Sequence, residues 1–260
     1  MGLLERFEAS LERSELTRKT YRRLVEEFFA FFNLEPGRLE PGMLERYAKE
    51  SSLSPASLLT AFSALSSFLN YLKNEGLLEA ETYEELKKEL RRVRSSLKPV
   101  RRARPLTREE LKRIFERVKG LKYEKVYTLF LLSGIKVGEY ERLSAEHFYL
   151  DKSGLLWLNL TPQVSKRSRM VLLSAGSEDE TLLFTEKLLR WIENYEENLK
   201  VSRTALQAYT LRLARELGID FSLESFRHTY VFNLLKKGFP PELVSAFSGY
   251  AEGSLAKAYR

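Results

Sequence analysis

Three short segments of the 260-residue chain contain side chains that can bind an anion, donate a hydrogen bond or exchange a proton. They are SGIKVGEYERL at 133–143, ESFRHT at 224–229 and FSGY at 247–250. The second segment contains Arg227, whose guanidinium offers a rigid fork of donors that matches two phosphate oxygens and stays charged at every working pH. Arg227 is therefore suited to hold a phosphate, and a structural salt bridge is the alternative.

The three segments resemble, in order, the three signature boxes of the tyrosine recombinase (integrase) family. The first box has Gly, an apolar residue, Arg, then Glu and a spaced Leu, and the second has His, two residues, Arg, His and Thr. The third has an apolar residue, a variable one, Gly and His or Trp, with a tyrosine nine residues later, which here is Tyr259. The amino-terminal half resembles the family's helical core-binding domain at 16–17, 21–23 and 63–72.

The resemblance implies that DNA strands are cut and rejoined without a metal or a cofactor. A tyrosine oxygen would attack a backbone phosphorus and form a 3′-phosphotyrosyl bond, with Tyr259 as the nucleophile and Arg227 as the phosphate ligand. Lys166 lies where the family has a lysine that protonates the leaving 5′-oxygen, and Arg167 and Arg169 would contact flanking phosphates. The alternatives are an ordinary surface tyrosine, a solvated basic turn, or a register shifted onto Arg167.

The chain departs from the family's pattern at three positions of the boxes. Lys136 replaces an arginine and supplies its charge only as a point charge on a flexible stem, so slower cleavage is expected. Glu224 replaces a histidine and would repel a bound phosphate by about a few kcal/mol unless a cation compensates, the expected partners being Lys136 or Lys166. Tyr250 replaces a His or Trp and can still donate one hydrogen bond.

The composition favours a DNA-binding protein and argues against a metal site. The chain has 43 Lys+Arg against 36 Asp+Glu, with a formal charge of +7, which suits a polyanionic partner. It has no cysteine and only two histidines, so no disulfide, metal or cofactor is expected. His228 is interpreted as a satisfied core histidine, because on a helix it would point about 100° away from Arg227.

The sequence carries no sign of a membrane segment. No apolar run approaches the roughly 20 residues that cross a bilayer, so a cytoplasmic, nucleoid-associated protein without membrane contact is expected. The abundance of Glu, Lys and Arg is typical of a thermophile.

The apolar spacing predicts a mainly α protein that positions the three segments. A helical DNA core-binding domain is predicted at 1–90, and a mostly helical catalytic domain with a small antiparallel β-sheet at 107–260. Thr107 and Glu110 predict the capping box with which the second domain begins. The predicted strands lie at 155–160 and 170–173, joined by a basic turn that contains Lys166.

A basic linker is predicted at 91–106. Seven basic residues and no acidic ones lie between Arg91 and Arg104, interrupted by Pro99, which suits neither a long helix nor a packed strand. Phosphate contacts are expected from Arg101, Arg102 and Arg104, and they would make DNA affinity fall steeply with salt. The alternative is a solvated, flexible spacer.

Residues and resemblance together predict a site-specific recombinase or integrase of a mobile element. It would act on double-stranded DNA and assemble as a homo-oligomer on paired sites. The alternative is a catalytically impaired, recombinase-like DNA-binding protein, because three of the family's six usual catalytic positions are substituted. A third reading is a monomeric relaxing topoisomerase of related mechanism. The chain stops one residue after Tyr259, where family members generally continue into a helix that docks on a neighbouring subunit, so either the assembly differs or the protein is shortened.

Overall fold

The computed structural model describes residues 2–97, 104–175, 177–251, 253 and 255. The chain divides into two compact units, residues 1–101 and 102–260. Within the described part of the chain, no helix is both long enough and apolar enough to cross a bilayer. Both units are mainly α-helical, as the apolar spacing predicts.

The first unit is a helical bundle built around one long central helix. Its helices are α1 (Leu3–Ser10), α2 (Glu15–Phe31), α3 (Met43–Glu50), α4 (Pro55–Asn74) and α5 (Ala80–Ser96). Helix α4 begins at Pro55, where the Ser54 hydroxyl accepts the Ser57 amide at 3.2 Å, and it packs against α2 and α5. Phe28, Phe62 and Phe68 are fully buried between these helices and form the centre of the core.

In the described part of the second unit, a small sheet lies among eight α-helices. The helices are α6 (Arg108–Val118), α7 (Lys122–Ser133), α8 (Val137–Tyr140), α9 (Glu178–Glu193), α10 (Tyr195–Leu199), α11 (Arg203–Leu217), α12 (Leu223–Lys236) and α13 (Pro241–Ser248). The strands are β1 (Phe148–Leu150), β2 (Leu156–Leu160) and β3 (Arg169–Leu172), in the antiparallel order β1-β2-β3. Leu158 of β2 lies opposite Phe148 and Val171, so the predicted hairpin of β2 and β3 is confirmed. Strand β1 was not predicted, because it has three residues and two of them are exposed.

Helices α7 and α12 form the centre of the second unit's core. Tyr127 and Phe130 of α7 and Phe226 and Tyr230 of α12 are fully buried, and the Tyr230 hydroxyl donates to the Leu172 carbonyl at 2.7 Å. Close packing between these two helices orients α12, which carries Arg227.

A glycine ends α7 where the two helices approach most closely. Gly134 adopts φ 57° as the C-cap of α7, and a Cβ added there would lie 2.4 Å from Tyr230 Cδ1. Glycine is thus required here both by the left-handed backbone and by the lack of space.

The predicted linker at 91–106 begins too early. Helix α5 continues to Ser96 and buries Leu86, Leu90 and Val93, which follow one another at helical spacing. The basic side chains of 91–96 lie on the other faces of this helix, so a run of arginines did not exclude a packed helix. The predicted domain end at residue 90 therefore falls inside α5, and Arg101 and Arg102 lie outside the described residues.

The segment that precedes α6 is anchored to the second unit. Arg104 donates to the Asp220 carbonyl at 2.5 Å and forms an ion pair with Glu110, while 48% of its side chain stays exposed. The buried Leu106 donates its amide to the Thr229 hydroxyl at 2.8 Å. The predicted capping box is confirmed, since the Thr107 hydroxyl accepts the Glu110 amide at 3.2 Å and the Glu110 carboxylate accepts the Thr107 amide at 2.9 Å.

The contact between Gly134 and Tyr230 predicts a specific loss of stability. Gly134→Ala should lower the free energy of unfolding by roughly 2–4 kcal/mol, because it adds backbone strain to a steric clash. Gly218→Ala is the matched control: Gly218 also ends a helix, at φ 61°, but a Cβ there meets no atom within 4 Å. It should cost only about 1 kcal/mol. Urea unfolding of both variants measures the difference, and equal losses would contradict the packing argument.

Candidate active site

A pocket of about 620 Å³ in the second unit collects charged or polar residues from all three sequence segments and from the hairpin turn. Its polar lining comprises Lys136, Glu139, Arg142, Ser165, Lys166, Arg167, Arg227 and Tyr250. Four of the predicted cations thus reach one concave surface, although they are distant in sequence. This density of positive charge suits a phosphate-bearing ligand.

Arg227 lies at the base of the pocket on α12 and is 4% exposed. One terminal nitrogen donates to the Ser248 carbonyl at 2.9 Å, and the other donates to Glu224 Oε1 at 2.9 Å. The guanidinium carbon lies 3.9 Å from the centroid of the Tyr250 ring. Its Nε is buried and has no hydrogen-bond partner among the residues that the structure describes. Because an unsatisfied buried donor is costly, Nε is a donor whose energy a hydrogen-bond acceptor reaching it would lower.

Glu224 has a different partner from the one expected. It pairs with Arg227 and not with Lys136 or Lys166, because residues three apart on a helix face each other. The same oxygen, Oε1, accepts the hydroxyl of Tyr250 at 2.8 Å. Since 47% of the Glu224 side chain is exposed, the carboxylate can turn towards water when another anion takes its place.

Arg169 is not available to flanking DNA phosphates, and its predicted role there is wrong. Its two terminal nitrogens donate to the two oxygens of Glu139 at 2.7 and 2.9 Å, and its Nε donates to the Phe247 carbonyl at 2.9 Å. The side chains of Arg169 and Glu139 are only 7% and 5% exposed. The guanidinium therefore has every nitrogen engaged and no access to a ligand.

The Glu139 carboxylate receives two further donors, from the Lys136 backbone amide at 2.9 Å and the Ser165 hydroxyl at 2.8 Å. Burial by itself raises the pKa of Glu139, but hydrogen bonds from Arg169, Lys136 and Ser165 outweigh it and lower the pKa to about 2. Glu139 is thus ionised at ordinary pH and connects the start of α8, the hairpin turn and β3.

The pocket lysines and Arg167 lie at different depths. Lys136 is the N-cap residue of α8, and although the residue as a whole is exposed, burial of its ammonium group lowers its pKa. The neighbouring charge of Arg227 lowers this pKa further. Lys166 and Arg167 are exposed on the turn between β2 and β3. Lys136 therefore lies beside Arg227, whereas Lys166 and Arg167 lie at the rim.

His228 is half-buried and contacts Tyr250, so it is not the core histidine that was expected. Its Nδ1 lies 3.2 Å from the Tyr250 hydroxyl, and the two rings stack with their centroids 6.1 Å apart. Burial lowers the pKa of His228, and Arg227 lowers it further against an opposing effect of Glu224. Tyr250 thus contacts both His228 and Arg227.

Sequence reasoning missed three polar residues of the pocket, Arg142, Glu139 and Ser165. Arg142 lines the pocket and donates to the Val164 carbonyl at 2.9 Å, and nothing in its local sequence distinguishes it from a solvated arginine. Glu139 was noted only as a match to the first box, although its spacing from Lys136 is that of a capping contact. Tyr259, the predicted nucleophile, lies outside the described residues. The described residues include no group of three or more His, Cys, Asp and Glu that could hold a metal ion.

Comparisons with known proteins agree with the resemblance in the sequence. The family described as phage integrase, N-terminal SAM-like domain, matches residues 4–76. The tyrosine recombinase XerC of Thermodesulfovibrio yellowstonii is 26% identical over 95% of this chain and 85% of its own length.

Two solved structures have the same fold along almost the whole chain. The integrase of the Tn1549 transposon, in complex with transposon right end DNA, has a TM-score of 0.71 at 12% identity and covers 100% of this chain and 95% of its own. A lambda integrase dimer bound to a core site has a TM-score of 0.71 at 16% identity and covers 99% of this chain and 94% of its own.

The buried pair of Glu139 and Arg169 predicts both a stability loss and its pH dependence. Glu139→Gln should lower the free energy of unfolding by about 3 kcal/mol at neutral pH, because it leaves a buried guanidinium without a counter-charge. The pKa of Glu139 is lowered from 4.5 to about 2, so the contribution is present above pH 4.5 and is lost as the pH falls towards 2. The difference between wild type and variant should shrink over the same range.

The control for this experiment is a surface pair. Glu141→Gln removes a partner of Arg203 at 3.9 Å, with both side chains about half exposed, and should cost less than about 1 kcal/mol. Urea unfolding at a series of pH values measures both variants. A Glu139→Gln protein as stable as wild type at neutral pH would contradict the role given to the pair.

Proposed function

Because the chain belongs to the tyrosine recombinase family by sequence similarity and fold, we propose that it is a site-specific DNA recombinase or integrase. It binds duplex DNA, cuts a strand through a 3′-phosphotyrosine intermediate and rejoins it to another end. The activity is exerted on DNA in the cytoplasm, where the protein associates with the nucleoid.

The observation that carries this proposal is the convergence of Arg227, Lys136, Lys166 and Arg167 on one pocket. Cleavage by a tyrosine needs cations around the non-bridging phosphate oxygens, a nucleophile placed in line and a proton donor for the leaving oxygen. Arg227 supplies the phosphate grip, with its buried Nε as the donor that a phosphate oxygen would satisfy. Lys166 and Arg167 at the rim hold the DNA backbone on either side.

Tyr259 is the proposed nucleophile. It follows Tyr250 by nine residues, as the family's tyrosine follows the third box. Its hydroxyl attacks the phosphorus and takes the 3′ side of the broken strand, so that the energy of the cut bond is stored until a 5′-hydroxyl attacks in reverse. The 5′-oxygen leaves and must be protonated by a neighbouring acid, for which the family resemblance points to Lys166.

Binding of the phosphate requires Glu224 to leave Arg227. The carboxylate and the phosphate compete for the same guanidinium nitrogen, 2.9 Å from Glu224 Oε1. Part of the binding energy of the phosphate is therefore needed to separate Glu224 from Arg227. This cost, and the replacement of an arginine by Lys136, both favour slow cleavage. Two or more protomers assemble on paired sites to complete strand exchange.

A nicked suicide substrate, from which the cut strand diffuses away, tests the proposed reaction directly. Wild-type protein should become covalently linked to DNA, and Tyr259→Phe should give no adduct. Arg227→Lys should form the adduct roughly 100-fold more slowly, because the second arm of the phosphate grip is lost. Tyr149→Phe is the matched control, since Tyr149 is an exposed tyrosine of β1 outside the pocket. A wild-type protein that binds the substrate and never forms the adduct would instead be a non-cutting DNA-binding protein.

Charge reversal in the basic segment tests the DNA contacts proposed for Arg101 and Arg102. The double variant Arg101→Glu, Arg102→Glu should weaken binding and reduce the slope of log affinity against log salt by about 2, because two counterion-releasing contacts are lost. The control is Lys187→Glu, Arg190→Glu, which changes the net charge equally on exposed positions of α9. If both double variants lower affinity and slope alike, only net charge matters and the assigned contacts are wrong.

A further inference from the structure

Lys136 is held rigidly at its backbone, whereas its side chain is left without a partner. Its amide donates to Glu139 Oε2 at 2.9 Å, and its carbonyl accepts the amides of Glu139 and Tyr140 at 3.0 and 2.9 Å. Its ammonium group has no hydrogen bond or ion pair with any residue that the structure describes. The pocket therefore presents a proton-bearing side chain, on a fixed backbone, beside Arg227.

The charges around Lys136 disfavour its protonated form. The groups that act on it are Arg227 and Glu224 of α12, Arg169 of β3 and Glu139 of its own helix. Burial and the two guanidinium groups lower the pKa of Lys136, and the two carboxylates offset this only in part. An arginine in this position would keep its proton under all conditions, so the lysine adds chemistry that an arginine lacks.

The leaving 5′-oxygen needs such a group. It departs as an alkoxide, which is a poor leaving group unless it is protonated as the bond breaks, and an acid with a pKa near the working pH donates most effectively. The guanidinium groups of Arg142, Arg167 and Arg227 retain their protons. Lys166 is the other lysine of the pocket; like Lys136 it is exposed as a whole residue, but it lies on the turn between β2 and β3, where no backbone contact to Glu139 holds it.

We propose that Lys136 is a catalytic residue that protonates the leaving 5′-oxygen, and that it does not serve only as a charge in the place of an arginine. This assignment rests on the proposed function. As Tyr259 Oη bonds to phosphorus, the bond from phosphorus to the 5′-oxygen breaks and the Nζ proton of Lys136 passes to that oxygen. Lys136 becomes a neutral amine and the tyrosyl proton goes to water. In rejoining, the amine takes the proton of the attacking 5′-hydroxyl.

A substrate with sulfur in place of the bridging 5′-oxygen separates this role from a purely electrostatic one, because a thiolate leaves without protonation. Lys136→Arg keeps the charge and removes the proton donor. On the oxygen substrate it should form the covalent adduct at least about 100-fold more slowly than wild type. On the sulfur substrate its rate should be within a few-fold of wild type. Lys166→Met should show no selective rescue by sulfur, and Lys152→Arg, in the exposed turn before β2, is the neutral control.

The pH profile gives a second readout. The wild-type single-turnover rate on the oxygen substrate should fall as the pH rises through the lowered pKa of Lys136, and this fall should be absent with sulfur. The assignment is overturned if Lys136→Arg cuts the oxygen substrate as fast as wild type, if its defect is equal on both substrates, or if sulfur rescues Lys166→Met. Absence of any wild-type adduct on both substrates would instead overturn the proposed function itself.

Discussion

The arrangement of the pocket depends on one buried carboxylate. Glu139 accepts four hydrogen bonds, two from Arg169 and one each from Ser165 and the backbone of Lys136. The start of α8 and the β2–β3 hairpin, which are 26 to 30 residues apart at these contacts, therefore meet at a single charge. Arg169 extends the connection to α13 through the Phe247 carbonyl, and a Cβ at Gly249 would lie 3.2 Å from its guanidinium carbon. Both side chains are buried, so removing either one leaves the other as an uncompensated buried charge. The positions of the pocket cations therefore depend on an ion pair whose loss would be strongly destabilising.

The buried charge of Arg227 is compensated by a neighbouring carboxylate. Arg227 would otherwise be a nearly buried cation beside Lys136, and the Glu224 carboxylate compensates it from the exposed side. Tyr250 closes the remaining side, with its ring against the guanidinium and its hydroxyl on the carboxylate. A DNA phosphate would replace Glu224 as the partner of Arg227. Arg227 would then exchange one anionic partner for another and would at no stage be an unpaired buried cation.

Much of the fold and part of the site could be predicted from the sequence. The amphipathic helices and the β2–β3 hairpin were predicted from the local periodicity of apolar residues. The resemblance to the family predicted Arg227, Lys136 and Lys166 as site residues. Arg169 was misplaced because its partner Glu139 lies 30 residues away, and an arginine buried against a carboxylate has the same local sequence as one that faces DNA. The end of α5 was missed because its arginines concealed the stripe of Leu86, Leu90 and Val93. The pairing of Glu224 with Arg227 was readable from their spacing, but helix position alone does not say which of several cations is nearest.

The three departures from the family's pattern influence one another, and this bears on whether they reflect a loss of catalytic function. Glu224 accepts the hydroxyl of Tyr250, and it also contributes to the electrostatic environment of Lys136. A histidine at 224 could not neutralise Arg227, and a histidine or tryptophan at 250 would offer a different donor to the carboxylate. Random loss would not favour the pairing of Glu224 and Tyr250 with each other and with Arg227. The ammonium group of Lys136, in contrast, has no hydrogen bond or ion pair with a described residue. The Glu224 carboxylate also raises the pKa of Lys136 and so offsets part of the lowering caused by burial. The departures therefore fit a site that still binds phosphate through Arg227 but transfers protons through different groups.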